Sequence, residues 1–350
     1  MNGTVTGTMT SAEDRQGQKA PTLYDVAKVA GVSHQTVSRV VKGHTNIGPD
    51  IRERVDAAII ELNYKPNLLA RSLATSRSHR IGALVYELLE SGPSKIMEGA
   101  SKRAREAGYL LDIVSLDPED EGGISQAISL INQPELAGLI IFTPTDHVVD
   151  ALKDASFLVP LTLESESNGW SDDGAPKMGE AGVEELVQHL ADFGHTRFFH
   201  ISGPAGWLAA RARSEAYDRA LAARGLVSVG TVFGDWSAKS GYEATASIPL
   251  SEVTAIVAAN DQMALGVIAA LDERGVRVPE DISIVGFDDI PESQYFHPGL
   301  TTMNFDFAER GRTAVNDLLA KIEGKEPTAH PKAAPPRIIV RASSGPAPIR

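Results

Sequence analysis

From Ile81 onward, short continuous apolar runs alternate with longer segments of helical periodicity, and this alternation restricts the fold more than any other feature of the chain. IGALVY (81–86), LLDIVSL (110–116), LAGLIIF (136–142), LVPLTL (158–163), FFHI (198–201), VSVGTVF (227–233), VTAIVAA (253–259), ISIVGF (282–287) and RIIVR (337–341) have the length and content of strands. Helices fit residues 94–107, 124–132, 146–155, 178–192, 207–224, 239–247, 261–273 and 307–322. An apolar run without alternation is buried on both faces, which between helices means a parallel sheet covered front and back. There are enough runs for two such sheets, so an α/β body over 81–345 is predicted as two doubly wound parallel-sheet lobes. Ligands of such folds bind beyond the carboxyl ends of the strands, and two facing lobes put that crevice between them.

The segment before the body is built differently. Thr22, followed by Asp25 and the apolar Val26, Ala27, Val29 and Ala30, reads as a capped helix start. Gly31 stops that helix with the residue suited to a left-handed turn, and Ser33 caps a second one. Pro49 opens a third (PDIRERVDAAIIELNY), with Ile51, Val55, Ala58, Ile59 and Leu62 at helical spacing. Two helices joined by a glycine turn, with a third packed on them, is a helix-turn-helix arrangement, here over 21–64. In the second helix Val37, Val40 and Val41 share the inner face, while His34, Gln35, Ser38 and Arg39 face outward. Gln can bond adenine and Arg guanine in pairs in a major groove. A small helical bundle with a solvated polar face has the same periodicity, and the pattern alone leaves both open.

Charge is distributed to match. The whole chain carries −13, yet residues 1–80 carry +4 and the rest −17. A basic end on an acidic body is a local footprint for phosphate, with repulsion elsewhere. The first twenty residues are polar, lack an apolar signal core and read as a disordered tail. No run of eighteen apolar residues occurs, so no membrane span is expected, and the chain is expected in the cytoplasm. With no cysteine, disulfides and thiolate chemistry are excluded.

Enzyme signatures do not appear. There is no Gly-x-Ser-x-Gly elbow, Walker loop or Gly-x-Gly-x-x-Gly fingerprint. His189, His195 and His200 cluster in sequence at a spacing that fits no metal motif. Glu164 and Asp288 could pose as a glycosidase pair, but a glycosidase has no use for a DNA-reading head. No catalytic residue, metal or cofactor is expected.

The residues at the strand ends do suggest a ligand. Asn260 and Asp261 follow VTAIVAA, Asp288 and Asp289 follow ISIVGF, Glu164 follows LVPLTL, Arg211 lies in the helix after FFHISGP, and Trp236 follows VSVGTVF. Carboxylate, amide and guanidinium groups pair with vicinal hydroxyls, and an indole covers an apolar sugar face. Asp261 and Asp289 are equally read as helix caps, and Trp236 as core.

TLYDVAKVAGVSHQTVSRVVKG and RERVDAAIIELNYKPN, with GDWSAKSGY, VAANDQMALG, ISIVGFDD and GLTTMNFDF in the body, closely resemble the LacI/GalR family of transcriptional regulators, and the likeness covers nearly the whole chain after residue 21. It implies a body of periplasmic-binding-protein type and a repressor of sugar-utilisation genes. Thr22, Ser33, His34, Gln35, Thr36, Ser38 and Arg39 would contact a two-fold symmetric double-stranded DNA operator. His34 stands where a close family member has tyrosine. The segment 65–80 matches the family's hinge helix, with Asn67, Ala70, Arg71 and Leu73 on DNA and Leu73 as the minor-groove wedge. NLLARSLA is too short to be a stable helix alone, and a plain linker is its other reading. In the body the likeness assigns Gly92, Pro93, Ile96, Arg211, Trp236, Asn260 and Asp288 to a sugar effector, with Glu164 replacing an aspartate. Tyr86 and Phe142 occupy pocket positions that are small or polar in a close relative, and Phe305 one that is glutamine. β-Galactosides come first as effectors and β-glucosides such as cellobiose next. The sugar is expected to release the operator; a corepressor or a transport-type sugar-binding protein is the alternative. Gly345, Pro346 and Pro348 exclude a closing heptad helix, so a homodimer is expected.

Overall fold

The computed structural model describes residues 21–41, 46–64, 78–116, 120–142, 145–153, 155–164, 178–326 and 335–349. The chain divides into two compact units, one up to residue 77 and one from Ser78.

The first unit contains α1 (Leu23–Ala30), α2 (His34–Val41) and α3 (Pro49–Glu61). Thr22 and Asp25 form a reciprocal capping box at the start of α1, and Gly31 ends it at φ 64°. The Ser33 hydroxyl accepts from the Thr36 backbone N–H at 3.1 Å and starts α2. Val26, Ala30, Val37, Val40, Val55, Ala58 and Tyr64 form the core, so the three-helix expectation holds down to its caps.

The second unit is α/β. Its first lobe has the sheet β2-β1-β3-β4, built from β1 (Arg80–Tyr86), β2 (Leu110–Leu116), β3 (Gly138–Phe142) and β4 (Leu161–Glu164), all parallel. Helices α4 (Ser91–Glu106), α5 (Glu121–Ile131) and α6 (Asp146–Lys153) connect these strands. The second lobe has the order β10-β9-β8-β7-β5-β6. Its strands are β5 (Arg197–Ser202), β6 (Val227–Phe233), β7 (Ala255–Ala258), β8 (Ser283–Phe287), β9 (Thr301–Asn304) and β10 (Arg337–Ile339). Its helices are α7 (Met178–Asp192), α8 (Leu208–Ala222), α9 (Ala238–Ala244) and α10 (Asp261–Glu273).

Two features depart from the sequence expectation. Strand β9, TTMN, has no apolar run to announce it; Thr301 and Thr302 are buried because their hydroxyls bond Ser344 and Asp261. Strand β10 pairs antiparallel to β9, so the second sheet is not wholly parallel.

The last helix, α11 (Phe307–Ile322), leaves the second lobe after β9 and packs on α4, β3 and β4 of the first. Two glycines allow it: a Cβ on Gly99 would lie 1.9 Å from the Ala308 carbonyl oxygen, and one on Gly311 2.0 Å from that of Ile96. This backbone contact places Phe307 and Arg310 beside Gly92 and Ile96, at the mouth between the lobes.

Candidate functional sites

The outer face of α2 is a polar surface. His34, Gln35 and Arg39 are exposed, while Thr36 and Ser38 are half-buried. Thr22 and Ser33 are engaged in capping, which orients the helix ends. One neighbour escaped the sequence reading: the exposed ring of Tyr24 lies 4.9 Å from that of His34, centroid to centroid. Asn67, Ala70, Arg71 and Leu73 lie outside the described residues.

In the second unit a cleft opens between the lobes, at the carboxyl ends of the strands. It holds about 490 Å³ of empty space, part of it open to solvent. Glu87, Glu90, Gly92, Pro93 and Ile96 line it from the first lobe, Trp207, Ala209, Arg213, Trp236, Asn260 and Asp288 from the second, and Phe307 and Arg310 from α11. A concave site with apolar walls and a few converging polar groups is the usual form of a small-molecule pocket.

Local structure holds these groups firmly. The Asn260 amide donates to the Trp236 carbonyl at 2.8 Å while its oxygen caps α10 by accepting from Met263 at 2.9 Å. The edge of the Trp236 indole fits against Gly203, where a Cβ would meet it at 2.3 Å. Arg213, 5% exposed, lies over the Phe287 ring at 3.8 Å, donates to the Ala259 carbonyl and comes within 3.8 Å of the Asp288 carboxylate. Backbone strain concentrates here. Glu87, Trp236, Asp288 and Asp289 have φ of 48°, 71°, 109° and 48°, and among the described residues only Asn63 is a further non-glycine with positive φ. Such conformations persist where surrounding contacts over-determine them, and they cluster at ligand sites. Burial, then the charge of Asp235, pushes the Glu90 carboxyl up from its ordinary range.

Behind α8, His200 is fully buried and stacked on Tyr217 at 4.7 Å. It lies 2.8 Å from the Val257 carbonyl through Nδ1 and 3.2 Å from the Ser214 hydroxyl through Nε2. Burial pulls its pKa down to about 4. This contact fixes the helix turn that carries Arg213.

Two sequence profiles match the chain: bacterial regulatory proteins of the lacI family over residues 22–67, and the periplasmic binding protein-like domain over 187–344. The lactose operon repressor of Escherichia coli strain K12 is 36% identical over 310 residues, covering 88% of this chain and 86% of the repressor. The chain belongs to the lacI family of bacterial regulatory proteins. Among solved structures of the family, the lac repressor dimer bound to operator and the anti-inducer ONPF superposes with a TM-score of 0.77 at 34% identity, over 93% of this chain and all of that one. The transcriptional regulator CelR in complex with cellobiose gives 0.64 at 28% identity, over 92% of this chain and 99% of that one. This LacI-family protein is therefore a DNA-binding transcriptional repressor with a ligand-binding body, and its relatives are repressors, not enzymes.

The LacI-family cleft contains some of the residues expected for an effector and not others. Gly92, Pro93, Ile96, Trp236, Asn260 and Asp288 line it. Arg211 does not: it points away along α8 and clasps Asp146 of the first lobe through two hydrogen bonds. The guanidinium that α8 brings to the cleft is that of Arg213, two residues on. Tyr86 and Phe142 are buried behind the wall in the cores, and Phe305 stacks on Phe287 at 4.8 Å. Glu164 lies off the cleft at the end of β4, where burial pushes its carboxyl up to about 7 against the opposing pull of Arg310. Asp261 and Asp289 are not caps. Asp261 accepts from the Ile290 N–H and the Ser293 and Thr302 hydroxyls, and Asp289 pairs with Arg341 at 2.7 Å.

Arg213 carried a sequence signal. Ala210, Arg213, Ala216, Tyr217, Ala220 and Leu221 are the buried stripe of α8, and Arg211 falls off it. Trp207, Glu87, Glu90, Phe307 and Arg310 were also missed; Trp207 follows a Gly-Pro turn after a strand and is buried against Tyr86 and Trp236.

Proposed function

We propose that this repressor binds a two-fold operator as a homodimer in the cytoplasm, through the α2 face, and that a sugar occupying the interlobe cleft releases it from genes of sugar use. The observation that carries this reading is the composition of the cleft: Asp288, Asn260 and Arg213, able to pair with neighbouring hydroxyls, stand beside the indoles of Trp236 and Trp207. Polar groups converging beside aromatic walls are the make-up of a small-ligand site, and β-linked galactosides and glucosides are the candidate effectors.

Release follows from differential binding. A ligand shifts two lobe arrangements only by its preference for one of them, and coupling of about 1–3 kcal/mol gives roughly 5–150-fold. The groups that such a ligand would rearrange already cross the cleft. Lys95 of α4 donates to the Asp288 and Asp289 carbonyls at 3.4 and 3.3 Å, and Arg211 holds Asp146. The test is to select binding sites from a random duplex pool, then follow operator binding by fluorescence anisotropy while titrating β-galactosides and β-glucosides. Loss of operator affinity with one of them supports the reading; tighter binding would reverse its sign, and indifference to the whole series would refute it.

A further inference from the structure

Asp288 reaches the cleft from a strained turn. Asp288 and Asp289 stand at φ 109° and 48°, where residues other than glycine stay only if contacts hold them. The two ends of the turn are fixed by the backbone: the Asp288 N–H donates to the Met303 carbonyl at 2.9 Å, and the Ile290 N–H to the Asp261 carboxylate at 2.9 Å. Between them lies one peptide unit. Turning it would let Asp289 leave the left-handed region, and Asp288 would relax with it. The Asp289 N–H reaches the Thr302 hydroxyl only at 3.4 Å, so the backbone holds this unit weakly. The side chain of Asp289 holds it well. One carboxylate oxygen accepts from Nη2 of Arg341 at 2.7 Å and the other from Nδ2 of Asn304 at 2.8 Å.

Arg341 lies two residues beyond β10, and neither it nor Asp289 nor Asn304 lines the cleft. Its guanidinium is aimed before it meets Asp289: its backbone N–H donates to the Thr301 hydroxyl at 2.9 Å and its Nη1 to the Leu300 carbonyl at 2.7 Å. A planar fork with one prong fixed has little freedom left for the other. The Arg341 and Asp289 side chains are 19% and 18% exposed, so the pair is largely shielded from water. We propose that Arg341 is a positioning residue for the effector: by fixing the Asp289 carboxylate it holds the strained turn, and so presents Asp288 to the cleft without touching the ligand. The proposal rests on the cleft being the effector site, with sugars as its probes. A site set beforehand spares its ligand the cost of ordering it. The same segment offers a control in Ser343, whose hydroxyl donates to the Ile284 carbonyl at 2.7 Å and accepts from the Thr301 N–H at 2.8 Å. Those bonds fasten the segment to the lobe and do not reach Asp289.

The test compares Arg341→Gln, Arg341→Lys, Asp289→Asn and Ser343→Ala in the full-length protein. Each is titrated calorimetrically with lactose and with cellobiose, and each is melted without sugar. Arg341→Gln is expected to weaken whichever disaccharide the wild type binds by about tenfold or more, because the ligand must then order the turn itself. Arg341→Lys, which keeps the charge, should recover part of that loss. Asp289→Asn should lose about as much as Arg341→Gln, and combining the two should add little, since both act through one contact. Ser343→Ala should lower the melting temperature with affinity held within about twofold, because its bonds end at the segment. Asp289→Asn, which is nearly isosteric, carries the same test if Arg341→Gln does not fold. A crystal structure of the sugar-free Arg341→Gln or Asp289→Asn protein reads the cause directly: Asp289 should have left positive φ, and the Asp288 carboxylate should have moved from its place beside Arg213. The proposal is overturned by an unchanged turn in that structure, by unaltered affinity in Arg341→Gln or Asp289→Asn, or by a loss in Ser343→Ala as large as theirs, which would make Arg341 a fastening of the segment and nothing more. If the wild type binds neither disaccharide nor the wider glycoside series, the sugar reading of the cleft falls, and the crystal structure still decides the role of Arg341.

Discussion

The reading face of α2 and the cleft of the body treat polar groups in opposite ways. On α2, His34, Gln35 and Arg39 extend into solvent from a regular helix that the Ser33 hydroxyl caps. In the cleft, Arg213, Asn260 and Asp288 are each less than a tenth exposed and are held by bent backbone and by each other's neighbours. The difference follows from the partners. A duplex is a large polyanion that brings its own geometry, so exposed donors on a rigid rod suffice, and phosphate attraction supplies much of the affinity. A small neutral ligand offers little surface, so its site must be dehydrated and set beforehand.

Substitutions at the two places should therefore behave differently. The largest effect is expected from Arg213→Ala. It strips a buried cation from beside Asp288 and should destabilise the body by about 3–5 kcal/mol in urea unfolding. It should also abolish the sugar response, while operator binding survives wherever the protein is folded. Arg39→Ala is the reciprocal case: about 1–3 kcal/mol of operator affinity with relaxed preference at one base pair, and sugar binding unchanged by calorimetry. Sugar affinity that moved with Arg39, or sequence preference that moved with Arg213, would break the comparison.

Acid should separate the regions further. The unfolded His200 imidazole titrates near 6.5 and the folded one at about 4. The folded state thus binds fewer protons in that window, and His200's contribution, complete above 6.5, is lost as pH falls toward 4. Asp261, pushed up to about 6 by burial, works in the other direction, so the variant comparison is the clean one. The stability gap between wild type and His200→Gln should narrow by about 2 kcal/mol between pH 7 and pH 5. The smallest effect is expected from Arg211→Ala. Its pair with Asp146 is half exposed and worth at most about 1 kcal/mol in denaturant unfolding, and direct sugar contacts should be untouched. A collapse of sugar affinity there comparable with that of Arg213→Ala would put Arg211 back in the site.

The same contrast explains what could be read from sequence. The head was legible because its signals are local: a cap, a glycine, a valine stripe and a polar face all lie within twenty residues. In the body, α7, α10 and α11 matched their expected bounds because their periodicity is long. Strand β9 was not legible, since Thr301 and Thr302 are buried by partners from remote segments and not by their own hydrophobicity. Within the cleft, Trp236, Asn260 and Asp288 follow strands and were found from that position. Arg213 was missed in favour of Arg211, though a two-residue step on a helix turns a side chain by more than half a circle. Trp207 was missed because its place at the cleft wall is set by Tyr86, Thr145 and Trp236, which only folding brings near.

The crossing of α11 has a consequence for how the protein is made. Strands β1 to β4 are complete once Glu164 has been synthesised, yet the helix that covers β3 and β4 emerges only after all of β5 to β9. Until then the growing chain displays the apolar side of its first sheet, and the groove around Gly99 waits for Ala308. Folding domain by domain from the amino terminus, the common course for multidomain chains, is closed to this body. Its lobes mature together, near the end of translation, and a ribosome that stalls before Phe307 would release two unfinished lobes instead of one finished one.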